Sequence, residues 1–147
     1  MTKIWGSSKM TTEALIQKAK EMLTKAYVPY SNFPVGAALL TKSGKVYTGC
    51  NIENAAFPVS LCAERTAIFK AISEGETEFV SLAVIANTDR PVPPCGSCRQ
   101  VMAEFFQPEM PVYICNKDEK VMETTVSNLL PFSFSSDDLE SGQNVSE

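Results

Sequence analysis

Apolar side chains at Leu15, Ala19, Met22, Leu23 and Ala26 recur at intervals of three and four, the spacing of one helical face. Thr11 or Thr12 serves as N-cap, Glu13 falls in the first turn, and Pro29 sets the end near Tyr27. The pattern then changes. Two short apolar runs, from Val35 to Thr41 and from Val46 to Cys50, flank Lys42-Ser43-Gly44-Lys45 and predict a β-hairpin with a four-residue loop. A loop rich in Asn follows. Ala63, Ala67, Ile68, Ala71 and Ile72 mark a second helix from about Leu61 to Ser73, with Gly75 suited to the left-handed residue that closes it. Ser81 to Ala86 is apolar almost throughout, as expected for a strand covered on both faces. After Pro91, Pro93 and Pro94 a third helix is expected from about Cys95 to Phe106. Strands from Val112 to Cys115 and from Val121 to Val126 follow, on either side of a polar turn at Asn116 to Lys120.

The order α, β, β, α, β, α, β, β predicts a layered α/β domain in which helices cover a mixed sheet. Residues 1–11 lack periodicity and are expected to be a flexible arm; residues 12–134 form the domain. Residues 135–147, polar and acidic after the first few positions, are expected to fray.

With 147 residues the chain matches one domain. Its formal charge of -4, from 13 basic and 17 acidic side chains, leaves no basic surplus to hold a nucleic acid or an anionic bilayer. No apolar stretch approaches the roughly 18 to 20 residues of a membrane span. The absence of histidine excludes Ser-His-Asp and Cys-His catalysis and any zinc site that needs an imidazole. Five cysteines, an odd set behind an N-terminus without the apolar core of a secretory signal, read as reduced thiols in the cytoplasm.

Pro94-Cys95-Gly96-Ser97-Cys98 places two thiols three residues apart at the start of a helix, where they share a face and the free backbone N–H groups favour thiolate. Alone this is as compatible with a redox pair as with a metal pair. Cys62-Ala63-Glu64 opens the preceding helix, adding a third sulfur with a carboxylate two positions on. Three thiolates with one open position describe a catalytic zinc site, whereas a fourth ligand would make it structural. Glu64, on a different helical face from Cys62, is placed to exchange protons with a water rather than to bind metal. Together CxE and PCxxC match the pattern of zinc deaminases.

The chain resembles the cytidine deaminases of the small, homotetrameric type over about residues 12 to 140. The resemblance is carried by Tyr30-Ser31-Asn32-Phe33-Pro34-Val35-Gly36-Ala37-Ala38, Gly49-Cys50-Asn51-Ile52-Glu53-Asn54-Ala55, Cys62-Ala63-Glu64-Arg65-Thr66-Ala67, Pro94-Cys95-Gly96-Ser97-Cys98-Arg99-Gln100 and Leu129-Leu130-Pro131. It implies a three-layer α/β/α domain on a mixed five-stranded sheet, and one Zn²⁺ per subunit on Cys62, Cys95 and Cys98. It also implies that Glu64 is the proton shuttle; separately, the excess negative charge of three thiolates on zinc gives Arg65, next to Glu64, a role as hydrogen-bond donor to the sulfurs. Phe33, Asn51, Glu53, Ala55, Phe57, Ala63 and Phe134 are then expected around a pyrimidine nucleoside. In that set Asn51 and Glu53 bond the ribose, Phe33 stacks near the base, and Phe134, or Phe132 in its place, reaches a neighbouring subunit's site.

Other readings remain beside it. Asn51 and Glu53 also suit loop residues that satisfy backbone groups. Cys50 and Cys115 read as small buried hydrophobes, with Cys50 as a fourth zinc ligand the minority alternative. Arg99 fits three roles: support of the metal site, a subunit contact, or a surface charge. Deamination of a polynucleotide, a zinc-stapled module without catalysis, and a related deaminase of nucleoside analogues are the competing functions.

Overall fold

The computed structural model describes residues 4–5 and 10–143. Thr11 is the first cap: its hydroxyl accepts from the Ala14 N–H at 3.0 Å, and helix α1 runs over Thr12–Glu21. The helix expected to reach Tyr27 tightens instead into a 3₁₀ turn at Met22–Lys25. There the Thr24 hydroxyl bonds the Glu21 carbonyl, a local contact that competes with the α-helical ladder.

Strands β3 (Val35–Thr41) and β4 (Val46–Cys50) form the hairpin with the predicted bounds, Leu40 facing Val46 and Gly36 facing Cys50. Strand β5 (Phe79–Ala86) lies antiparallel on the other side of β3. Strand β6 (Pro111–Cys115) runs parallel to β5, and β7 (Val121–Thr125) pairs antiparallel with β6. The sheet order is β4-β3-β5-β6-β7. A parallel pair needs a crossover, and helix α3 (Gly96–Phe105) provides it, while α2 (Ala63–Ser73) joins β4 to β5.

The two-residue period of the strands separates the layers. Ala38, Leu40, Ala83, Ile85 and Tyr113 pack beneath Leu15, Ile16 and Ala19 of α1. Their neighbours Ala37, Leu39, Leu82, Val84, Val112 and Ile114 pack against Ala67, Ile68 and Ala71 of α2 and Met102 of α3. The result is the expected three-layer α/β/α arrangement on a mixed five-stranded sheet. Gly49 fixes how closely α2 approaches β4, because a Cβ there would lie 2.5 Å from the Ala63 carbonyl oxygen. Gly36 does the same for α1, with a Cβ falling 2.0 Å from the Ala19 carbonyl oxygen.

Two segments depart from the sequence reading. Within the expected arm, β1 (Ile4–Trp5) pairs antiparallel with β2 (Met10–Thr11); residues 1–3 and 6–9 lie outside the described residues. At the other end, Ser136–Gln143 forms helix α5 where no element was expected, with residues 144–147 outside the description. Asp137 and Asp138 stand in its first turn, and the Ser135 N–H donates to Asp138 Oδ2 at 2.8 Å. Every residue of α5 is exposed, so its sequence shows no apolar stripe. The short helix α4 (Val126–Leu129) seats Val126 and Leu129 in the core.

Candidate metal centre and cleft

Cys62 and Cys95 are the N-cap residues of α2 and α3, both with extended backbones and neither side chain bonded to its own helix end. Both sulfurs are therefore free to face a common point. Cys98 follows in the first turn of α3 and is buried. The Cys62 and Cys95 sulfurs are 3.7 Å apart, those of Cys95 and Cys98 3.4 Å, and all three lie within 4.8 Å of one another. Tetrahedral zinc with bonds of about 2.3 Å requires sulfurs about 3.8 Å apart, so the donor set fits that ion. Cys50 does not join them: it is buried and its thiol faces the Lys25 carbonyl at 3.5 Å. Cys115 lies on the α1 side of the sheet, where burial pushes its thiol up to about 12.

The site's charges are arranged by hydrogen bonding and burial. Protons shared with Cys98, and a bond from Arg65 Nη2 at 3.4 Å, pull the Cys62 thiol down to about 5. Cys98 is pushed up by the same pairing with Cys62, by burial and by the nearby Glu64 charge. Arg65, bonded to Cys62, is held more firmly protonated. Glu64, in the first turn of α2 and 5% exposed, is pushed up to about 7, chiefly by desolvation.

A cleft of about 220 Å³ opens at the cluster, lined by Phe33, Asn51, Cys62, Ala63, Glu64 and Cys95 together with Val35, Val84, Ala86 and Val92-Pro93-Pro94. Of the eight expected substrate and catalytic positions, Phe33, Asn51, Ala63 and Glu64 share the cleft, and Phe134 does not line it. Glu53, Ala55 and Phe57 line a second hollow of about 370 Å³ with Tyr30 and Ser31. Asn51 holds the cleft's edge, its Oδ1 accepting from the Val35 N–H at 2.9 Å and its Nδ2 donating to the Phe33 carbonyl at 2.7 Å. Glu53 Oε1 accepts from the Tyr30 and Ser31 N–H groups at 3.0 and 3.1 Å, and bonds at Ser31 hold the carboxyl below its ordinary range. Both residues therefore satisfy loop backbone while standing at the hollows.

Phe134 is exposed, with its carbonyl accepting from Gln100 Nε2 at 3.0 Å. Phe132, also exposed, has a φ of 51°. The sequence reading did not select the cleft wall from Val92 to Pro94, whose signal was the run of prolines ahead of Cys95. It left Arg99 open, and the structure gives that side chain two backbone partners, the Pro94 and Leu129 carbonyls.

Comparison with known proteins agrees with this geometry. The family described as "Cytidine and deoxycytidylate deaminase zinc-binding region" matches residues 9–114. The cytidine deaminase of Sporosarcina psychrophila is 56% identical over 130 residues, covering 88% of this chain and 96% of that protein. That of Halalkalibacterium halodurans is 53% identical, covering 88% and 98%. A crystal structure of cytidine deaminase from Burkholderia pseudomallei superimposes with a TM-score of 0.83 at 50% identity, covering 85% of this chain and all of that one, 100%.

Proposed function

The chain belongs to the cytidine and deoxycytidylate deaminase zinc-binding family, and from that premise we infer that it hydrolyses free cytidine and deoxycytidine to uridine and deoxyuridine, releasing ammonia. The observation that carries the reading is the buried Glu64 carboxyl beside three convergent sulfurs at a cleft lined by Phe33.

Cys62, Cys95 and Cys98 would hold one Zn²⁺ per subunit, which supplies Lewis-acid polarisation that brings the pKa of a water from about 15.7 toward about 7. Glu64 accepts a proton from the attacking water and delivers it to N3 of the pyrimidine as oxygen adds to C4. It then takes the second water proton to the exocyclic nitrogen as the C4–N bond breaks, so that water and cytidine become uridine and ammonia. A carboxyl held near neutrality suits both directions of transfer, since general acid–base efficiency is greatest when the group's pKa lies close to the working pH.

Phe33 is assigned to the face of the base. Asn51 holds the Phe33–Val35 backbone that presents that ring, and its remaining donor and acceptor capacity is assigned with Glu53 to the ribose. Ala55, Phe57 and Ala63 complete the nucleoside's surroundings in this reading. Phe134 is assigned to a neighbouring subunit's site, within a homotetramer. The reaction returns free pyrimidine nucleosides to use, a salvage role in the cytoplasm that the reduced thiols suit. Among the described residues no helix is long and apolar enough to cross a membrane.

The test is the ultraviolet change when purified protein meets cytidine, with and without a chelator. Conversion that the chelator abolishes and zinc restores is expected; zinc-loaded protein that leaves the amino group in place would refute the assignment.

A further inference from the structure

We propose that Arg99 is a positioning residue that clamps the Cys95 turn to the core and thereby sets how slowly the metal leaves. The proposal rests on the reading that Cys62, Cys95 and Cys98 bind zinc.

The three sulfurs are not equally secured. Cys98 is buried and Cys62 half-buried, whereas Cys95 is exposed and follows a proline-rich segment without regular structure. Loss of the metal should therefore begin at Cys95. The residue before it, Pro94, is buried, and a buried carbonyl needs a hydrogen-bond partner. Arg99 supplies it: Nε donates to the Pro94 carbonyl at 2.7 Å, while the Arg99 backbone N–H donates to the Cys95 carbonyl at 3.1 Å. Both carbonyls flanking the attachment of Cys95 are thus held by one residue. The other end of the clamp is firm, because Arg99 Nη1 donates at 2.9 Å to the carbonyl of Leu129, itself seated in the core.

Donation to two divergent carbonyls from separate, fixed nitrogens, Nε and Nη1, suits a planar guanidinium better than the single nitrogen of an ammonium on a flexible stem. The clamp acts on the metal through backbone, for the Arg99 guanidinium bonds two carbonyls, whereas that of Arg65 bonds a sulfur. Supporting residues of this kind change metal affinity about 10- to 100-fold when removed.

The test measures zinc transfer from the holoprotein to a chromogenic chelator, after the zinc content of the unaltered protein has been determined. Arg99→Gln is expected to release zinc about 10- to 100-fold faster, and Arg99→Lys, which covers the case in which the glutamine variant fails to fold, at an intermediate rate. Leu15→Ala destabilises the opposite face of the sheet and is expected to leave the release rate within about twofold. Release unchanged in the Arg99 variants, or accelerated as much by Leu15→Ala, overturns the clamp. Zinc absent from the unaltered protein overturns instead the assignment of the three ligands, so the two failures are distinct.

Discussion

Arg65 donates to the Cys62 sulfur across 3.4 Å, from one turn further along α2. That bond places a positive charge beside a donor set whose three thiolates would leave zinc with a net charge of about -1, which makes a bound water less acidic. Two helix N-termini add about +0.5 each.

Replacing Arg65 by Gln removes the compensating cation. The attacking water would then lose its proton at higher pH, so the rise of kcat with pH is expected to move upward by about one unit, cutting turnover at pH 7 about fivefold. A pH–rate profile that coincides with that of the unaltered protein would remove Arg65 from this role.

Glu64→Gln should keep zinc and the fold while lowering kcat by at least about 10² to 10⁴. The same change tests the cost of burying a carboxylate. Because Glu64 titrates at about 7 in the native chain against an ordinary 4.5, the folded state holds its proton more tightly and stability falls as pH rises through that interval. In metal-free protein at pH 8 the glutamine variant is therefore expected to be more stable by up to about 3 kcal/mol. Urea titrations at pH 4 and pH 8 measure it, with the gain confined to the higher pH.

Zinc uptake should release protons. At pH 7 Cys62, pulled down to about 5, is already thiolate, whereas Cys98, pushed up, must lose its proton to bind. Addition of one equivalent of zinc to metal-free protein in dilute buffer with an indicator dye is expected to release at least one proton and fewer than three. Affinity should weaken as pH falls. Uptake without acidification would contradict the charge states assigned to the thiols.

Gly49→Ala is expected to cost stability and metal together. The added carbon would meet the Ala63 carbonyl oxygen at 2.5 Å and the Ala67 nitrogen at 2.6 Å, forcing α2 away from β4. Overpacking of this kind costs about 1–3 kcal/mol. Since Ala63 adjoins Cys62, zinc affinity should fall as well; denaturant midpoints with and without zinc separate the two losses.

The elements that proved readable in the sequence are those that bury apolar side chains on one face or on both. The hairpin showed as two apolar runs, Val35–Thr41 and Val46–Cys50, around a polar turn, and α2 as Ala63, Ala67 and Ala71 at helical spacing against the sheet. Helix α5 escaped because nothing in it is buried, and the shortened end of α1 because a side-chain bond at Thr24 does not show in hydrophobic spacing. At the site, the CxE and PCxxC pattern singled out Cys62, Cys95 and Cys98; helix geometry relates only Cys95 to Cys98, and the approach of Cys62 depends on how the starts of α2 and α3 pack, which spacing does not show. The contacts of Arg99 were not legible: its carbonyl partners are backbone atoms at positions 94 and 129, which any residue would provide. For Asn51 the alternatives of backbone support and ligand contact were both visible, and the amide's bonds to Phe33 and Val35 realise the first.

Cys62 and Cys95 stand on opposite sides of β5 in the chain, and that strand lies between β3 and β6 in the sheet. During synthesis, a growing polypeptide therefore offers only a single sulfur from this triad until translation passes residue 95. It offers the complete set only once β5 has docked, bringing the two helix starts together. Metal capture thus waits on the docking of β5: a product that ends before residue 98 lacks the full triad, and one in which β5 fails to insert keeps the two helix starts apart.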